Sequence, residues 1–145
     1  SYRWAEMRRI IVNYSGHLLS KEASVSLGSA FDEIIQPDPF HFDFTADANE
    51  QLGVIVARTL ESLDSESVLT IIPPGQSTLA ILLVSFIHGL IGHFPRLCYL
   101  ELNESGMYMP LTEFHISTQN VRTAGRFFRM KKFTKAQHPN LGFRP

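Results

Sequence analysis

Short apolar runs alternate along the chain with longer segments of helical periodicity, a pattern that predicts strands separated by helices. The predicted strands cover residues 9–14, 33–36, 67–72, 96–102 and 108–116. The predicted helices cover residues 18–31, 47–63, 78–92 and 119–132. Apolar strands joined by helices favour the α/β class, with a mainly parallel central sheet of about five strands that is covered on both faces.

The composition is that of one globular domain. The chain has 145 residues, of which 44% are hydrophobic and 19% are charged, so it carries enough apolar material for a core. We expect the domain to span residues 7–132, with residues 1–6 upstream of it and residues 133–145 as a tail.

The cysteine content and the first residues of the sequence indicate the cellular compartment. The single cysteine, Cys98, excludes a disulfide framework and a multi-thiolate zinc site, and it fits a reducing environment. The first residues are charged and lack the apolar segment of a secretory signal. The apolar helix at 78–92 is too short to span a bilayer. We therefore expect a cytoplasmic protein without a membrane partner.

Charge is distributed unevenly. Residues 114–145 carry seven basic and no acidic side chains, whereas residues 1–113 carry six basic and 14 acidic ones. Such a split suggests an anionic partner near the C-terminal helix. The alternative is that the basic helix docks on the acidic body of its own or a neighbouring subunit.

Two loops are expected at the ligand-binding edge of the sheet. In parallel α/β sheets, ligands bind beyond the carboxyl ends of the strands. The first loop (residues 13–17) follows the first strand, and the second loop (residues 73–77) joins the third strand to a helix. In the second loop, Gly75 would allow a ligand close to the backbone and Ser77 would lie at the helix start, where amides favour an anion. Alternatively, Ser77 only caps its own helix.

The remaining candidate chemistry rests on histidines. His88 and His93 are five residues apart, about 140° around a helix, so they do not converge on one metal, and we expect no metal and no cofactor. A buried structural role is the default for His88. The candidates for catalysis are His17, His88 and Ser77, none with a recognisable orienting carboxylate, and none is assigned as catalytic.

Four motifs occur in order: I-I-V-N-Y-S-G-H at 10–17, P-P-G-x-S-x-x-A at 73–80, H-G-x-x-G-H-F-P at 88–95 and R-x-x-x-R-x-x-R at 122–129. Together they resemble the small Csx-type proteins of type III CRISPR loci. The resemblance implies a CARF-like, Rossmann-like fold of three layers. It also implies a homodimer, possible higher assembly on ligand binding, and a cyclic oligoadenylate ligand, chiefly cyclic tetra-adenylate, rather than a long nucleic acid.

By the same resemblance, the ligand is bound by the two loops, by His88 and by the arginine motif, with Tyr14 stacking against an adenine. The expected ligand-binding residues are Asn13, Tyr14, Ser15, Gly16, His17, Pro74, Gly75, Gln76, Ser77, His88, Arg122 and Arg126. The favoured function is sequestration of the messenger, which dampens antiviral signalling. The alternatives are a metal-independent ring nuclease, in which a ribose 2′-hydroxyl attacks the adjacent phosphate, and a protein-interaction module without a nucleotide ligand.

Overall fold

The elements of the fold follow the predicted order. The computed structural model describes residues 7–111 and 116–133, so the predicted upstream segment and nearly all of the predicted tail lie outside the described residues. The strands are β1 (Arg8–Asn13), β2 (Glu33–Ile35), β3 (Ser67–Ile72), β4 (Arg96–Leu97), β5 (Leu100–Leu102) and β6 (Tyr108–Pro110). The helices are α1 (Lys21–Gly28), α2 (Ala48–Ser62), α3 (Ser77–Ile91) and α4 (Thr118–Lys132).

Among the described residues, the central sheet has four strands in the order β2-β1-β3-β4, and every neighbouring pair is parallel. The chain steps from β1 to β2 on one side and then returns past β1 to β3 on the other. The winding direction therefore reverses between β1 and β3, the position at which doubly wound sheets open a crevice for ligands. The predicted parallel α/β architecture is confirmed and is compatible with a Rossmann-like fold.

The expected number of about five sheet strands is not confirmed: within the described residues, only the start of the predicted strand at 96–102 joins the sheet, as β4. The Cys98 N–H still donates to the Ile71 carbonyl oxygen at 2.8 Å. Beyond that point β3 runs into Pro73 and Pro74, and a proline has no N–H to offer a neighbouring strand. The chain then leaves the sheet, and β5 pairs with β6 as a separate antiparallel hairpin.

The predicted strand at 108–116 is correspondingly shorter. Its regular part ends at Pro110, residues 112–115 lie outside the described ranges, and Ile116 makes an isolated bridge to Leu97. The hairpin turn ends at Gly106, whose φ of +80° is a conformation that favours glycine.

Helices cover both faces of the sheet. On one face, β1 and β3 bury Ile10, Val12 and Ile71 against apolar side chains of α2 and α3. On the other face, Ile11 and Ile72 pack with Leu27 of α1 and with Cys98, and Leu100 of the hairpin adds to this cluster. The alternation of Ile10, Ile11 and Val12 between the two clusters is the period-two pattern of a strand that is buried on both sides.

The helix ends show the expected capping chemistry. Ser20 accepts a hydrogen bond from the Ala23 N–H at the start of α1, and Asp47 accepts one from the Glu50 N–H at the start of α2. Gly92 ends α3 in the left-handed conformation, with φ of +85°. No helix in the described part of the chain is long and apolar enough to cross a membrane.

Candidate functional site

A cavity of about 380 Å³ opens at the carboxyl edge of the sheet. Three chain segments line it: residues 13–16 at the end of β1, residues 36–40 after β2 and residues 74–76 after β3, with Leu18 and Leu79 beside them. The cavity therefore lies at the point between β1 and β3 where the sheet changes winding direction. Seven of the expected ligand-binding residues line it together: Asn13, Tyr14, Ser15, Gly16, Pro74, Gly75 and Gln76.

Asn13 organises the first loop. Its side chain is buried and its amide nitrogen donates to the His17 carbonyl oxygen at 2.7 Å and to Gln36 Oε1 at 2.9 Å. Its Oδ1 accepts from the Ser15 N–H at 3.0 Å and from Ser15 Oγ at 2.6 Å. Both amide protons are used within the protein, so Asn13 shapes the loop and holds it against the segment after β2.

The loop turns sharply at Gly16, whose φ of +81° lies in the left-handed region. A side chain at this position would be strained, because an L-residue with a Cβ rarely adopts that conformation. The Ser15 side chain also accepts from the His17 N–H at 3.2 Å, which closes the turn. The turn from residue 15 to residue 17 is thus held by hydrogen bonds within the loop, while Tyr14 anchors the loop in the core.

The second loop leads into α3 through Gln76. The Gln76 side chain is the N-cap of α3, and its Oε1 accepts from the Leu79 N–H at 2.6 Å. The expectation that Ser77 caps this helix is wrong: Ser77 is its first helical residue, because Gln76 already reaches the amide that a cap would satisfy. A Cβ added at Gly75 would meet no atom within 4 Å, so the backbone there is open.

Tyr14 lines the cavity, but its ring is buried in the core and is not available on the surface. Its side chain is only 1% exposed and lies in the core cluster between the sheet and α2 and α3. Its hydroxyl hydrogen-bonds with that of Thr59, which is also buried. Burial raises the pKa of the Tyr14 phenol above its ordinary value of 10.0. The expected stacking of an adenine on Tyr14 is therefore incompatible with this position.

The cavity wall is neutral to slightly acidic. Among the described residues that line it there is no lysine, arginine or histidine. The one charged side chain is Asp38, whose carboxylate lies 3.8 Å from the Arg58 guanidinium. An anionic ligand in this cavity would therefore be held by backbone amides, hydroxyls and side-chain amides, with any cationic contact supplied from elsewhere.

The other predicted residues lie outside the cavity. His17 is exposed at its rim, where its ring stacks on Tyr108 of β6. Ser77 is exposed and is not among the lining residues. His88 is partly buried against Phe94, with ring centroids 4.3 Å apart, and lies 11 residues into α3, about 16 Å from the start of the helix.

The arginine motif lies on α4, away from the cavity. The helix begins near Pro95, whose carbonyl oxygen accepts from Thr118 Oγ1 at 2.7 Å. Arg122 and Arg126 are exposed, and their four-residue spacing places them on one side of the helix. Neither is among the residues that line the cavity of the same chain.

Sequence reasoning missed the segment after β2 and the hairpin. Gln36 follows a predicted parallel strand, so the rule that identified the first and second loops could also have identified it. No sequence signal placed Tyr108 beside His17, because that contact depends on a hairpin that folds back over 90 residues later. In the described ranges, no group of three or more histidine, cysteine or acidic side chains could hold a metal ion.

Comparisons of the chain with protein families, with curated proteins and with solved structures give no significant match.

Proposed function

We propose that the protein binds a cyclic oligoadenylate, most simply cyclic tetra-adenylate, in a homodimer, and dampens type III CRISPR signalling by sequestering it. The observation that carries this proposal is the convergence of the first and second loops on one cavity at the switch point of the sheet. These loops lie within two of the four motifs on which the resemblance to Csx-type proteins rests.

The cavity suits one part of a nucleotide ring rather than the whole ring. Its volume of about 380 Å³ lies at the small end of the range for ligand sites. A ring of four nucleotides has two-fold symmetry, so two chains would each receive an equivalent portion. The exposed backbone at Gly75 and the start of α3 provide N–H donors for a phosphate.

The exposure of α4 supports a dimer. No residue of this helix is buried, although it carries Val121, Phe127, Phe128 and Met130, each between 61% and 75% exposed. Most of the stability of a helix in a protein comes from packing of its apolar side, so a helix of this kind gains stability from a partner that covers that side. Its five basic side chains complement residues 7–111, which carry 12 acidic and five basic ones.

The dimer is tested by light scattering on the purified chain and on the double variant Phe127→Ser/Phe128→Ser. We expect the unmodified chain to be a dimer and the double variant to shift toward monomer. Val25→Ser on α1 is the matched control, because Val25 is 68% exposed but outside α4. A monomeric unmodified chain that still binds the ring would contradict this part of the proposal.

Sequestration is favoured over cleavage by the lining of the cavity. None of the three catalytic candidates lines it, and the one carboxylate that does, Asp38, lies 3.8 Å from the Arg58 guanidinium, which favours its charged form as an ion-pair partner over a role in proton transfer. His17 at the rim is the residue on which a ring nuclease would depend.

The test is to incubate the chain with cyclic tetra-adenylate, denature the complex and analyse the nucleotide. Intact ring recovered in proportion to the protein is the expected result. A linear product that disappears in His17→Ala would instead establish the nuclease, and failure to bind any ring would leave the protein-interaction alternative.

A further inference from the structure

The β5–β6 hairpin brings an aromatic side chain to the rim of the cavity. The Tyr108 ring on β6 stacks on the His17 imidazole, with centroids 4.6 Å apart and ring planes 21° apart. His17 stands between two residues that line the cavity, Gly16 and Leu18, so the stacked pair is adjacent to the cavity by chain connectivity. Tyr108 is 37% exposed and His17 is exposed as well.

The position of this pair is fixed by its surroundings. The His17 backbone is tied at both ends, because its carbonyl oxygen accepts from Asn13 and its N–H donates to Ser15. Next to Tyr108 in the hairpin, Met109 accepts a long contact from Ser20 Oγ at 3.9 Å, at the start of α1. Two segments that are distant in sequence therefore present two rings side by side without rearrangement.

Core packing does not account for the pair. Neither ring belongs to the two buried clusters that cover the faces of the sheet. Leu18, beside it, is 83% exposed and also lines the cavity, so an apolar surface continues from the cavity wall to the stacked rings. Exposed aromatic rings beside a cavity that binds a phosphate are an arrangement by which proteins hold the base of the same nucleotide.

We propose that the His17–Tyr108 pair is the stacking platform for one purine base of the bound ligand, the role that the buried Tyr14 ring cannot perform. This inference rests on the proposed function, in which a phosphate of the ring is held at the first and second loops. If a phosphate is bound at these loops, the base of the same nucleotide can extend past Gly16 toward the two rings, because Gly16 has no side chain to block it. The His17–Tyr108 pair then binds the base by stacking, whereas the first and second loops bind the phosphate.

The experiment uses cyclic tetra-adenylate in which one adenine is replaced by 2-aminopurine, whose fluorescence is quenched when it stacks. We expect quenching on binding to the unmodified chain. In Tyr108→Ala, we expect the affinity to fall about 30-fold or more and the quenching to be lost, because base–aromatic stacking contributes about 5- to 150-fold per base and a dimer loses it at two bases. Tyr108→Phe, which keeps the ring, should bind and quench within about threefold of the unmodified chain.

Two further variants separate stacking from hairpin stability. Tyr108→Leu keeps an apolar side chain on β6 but has no aromatic ring, so it should lose quenching while its thermal unfolding stays near that of Tyr108→Phe. Tyr99→Ala is the matched control, because Tyr99 is 57% exposed and immediately precedes β5. It should bind like the unmodified chain.

The possible failures are distinguishable. If the unmodified chain binds the ring and both Tyr108→Ala and Tyr108→Leu bind and quench equally well, the platform is refuted while the proposed function stands. If the unmodified chain binds no ring, the proposed function is refuted and the platform with it.

Discussion

Gly75 offers a substitution that separates ligand binding from folding. Its φ is not positive, unlike those of Gly16, Gly92 and Gly106, and a Cβ at this position would meet no atom within 4 Å. Both Gly75→Ala and Gly75→Val are therefore compatible with the folded backbone. Because a side chain restricts the unfolded chain, Gly75→Ala should raise the free energy of unfolding by about 0.4–1 kcal/mol.

The same substitutions should weaken binding. If the second-loop backbone contacts a phosphate, the Val side chain occupies the space through which the ligand approaches. A hydrogen bond to a charged group contributes about 1.5–3 kcal/mol, so loss of one such contact should weaken binding about 10- to 150-fold. Gly75→Ala adds a smaller group and should have an intermediate effect.

Two measurements on the same preparations decide the matter. Urea unfolding gives the stability, and isothermal titration calorimetry with cyclic tetra-adenylate gives the affinity. Gly53→Ala in α2 is the matched control, because its Cβ also meets no atom within 4 Å and Gly53 does not line the cavity. It should stabilise the fold without changing affinity. Unchanged affinity in Gly75→Val would refute the role of this backbone, and equal losses of affinity and stability would mean that Gly75 serves only the fold.

Three further predictions concern the supports of the site. Asn13→Ala should lower the free energy of unfolding by about 1–3 kcal/mol in urea unfolding, because it removes the bonds that hold the first loop to Gln36. Since the pKa of Tyr14 is raised by burial, stability should be lost as the pH rises above 10.0. Tyr14→Phe should remove that part of the alkaline loss when unfolding is compared at about pH 8 and about pH 11; an unaltered pH profile would contradict it. Burial also raises the pKa of Cys98 to about 11, so maleimide should label this thiol at neutral pH only after unfolding. Rapid labelling of the native protein would show that Cys98 is accessible.

Local patterns were sufficient to predict most of the fold. Ser20, Asp47 and Gly92 mark helix ends by capping chemistry that needs only neighbouring residues, and the structure places each as expected. The division of the strand at 96–102 was not predictable in the same way. It depends on the pairing of Cys98 with Ile71 and on where β3 ends, which are properties of the partner strand.

The candidate site was predictable in its location but not in its side-chain roles. The first and second loops meet because parallel strands end at a common edge, a consequence of topology alone. The roles of Tyr14 and Ser77 depend on which side chain hydrogen-bonds with the Tyr14 hydroxyl and which side chain caps the first amides of α3. The Thr59 hydroxyl hydrogen-bonds with the Tyr14 hydroxyl inside the core, and the Gln76 side chain accepts from the Leu79 N–H as the N-cap of α3. Neither partner could be identified from residue type and spacing.

The stoichiometry of binding tests the central claim most directly. In isothermal titration calorimetry of the full chain with cyclic tetra-adenylate, we predict one ring bound per two chains, because each chain contributes one cavity to a two-fold symmetric ligand. The ring recovered after denaturation should be intact. Absence of binding, or saturation at one ring per chain by a monomer, would contradict the proposed dimeric site.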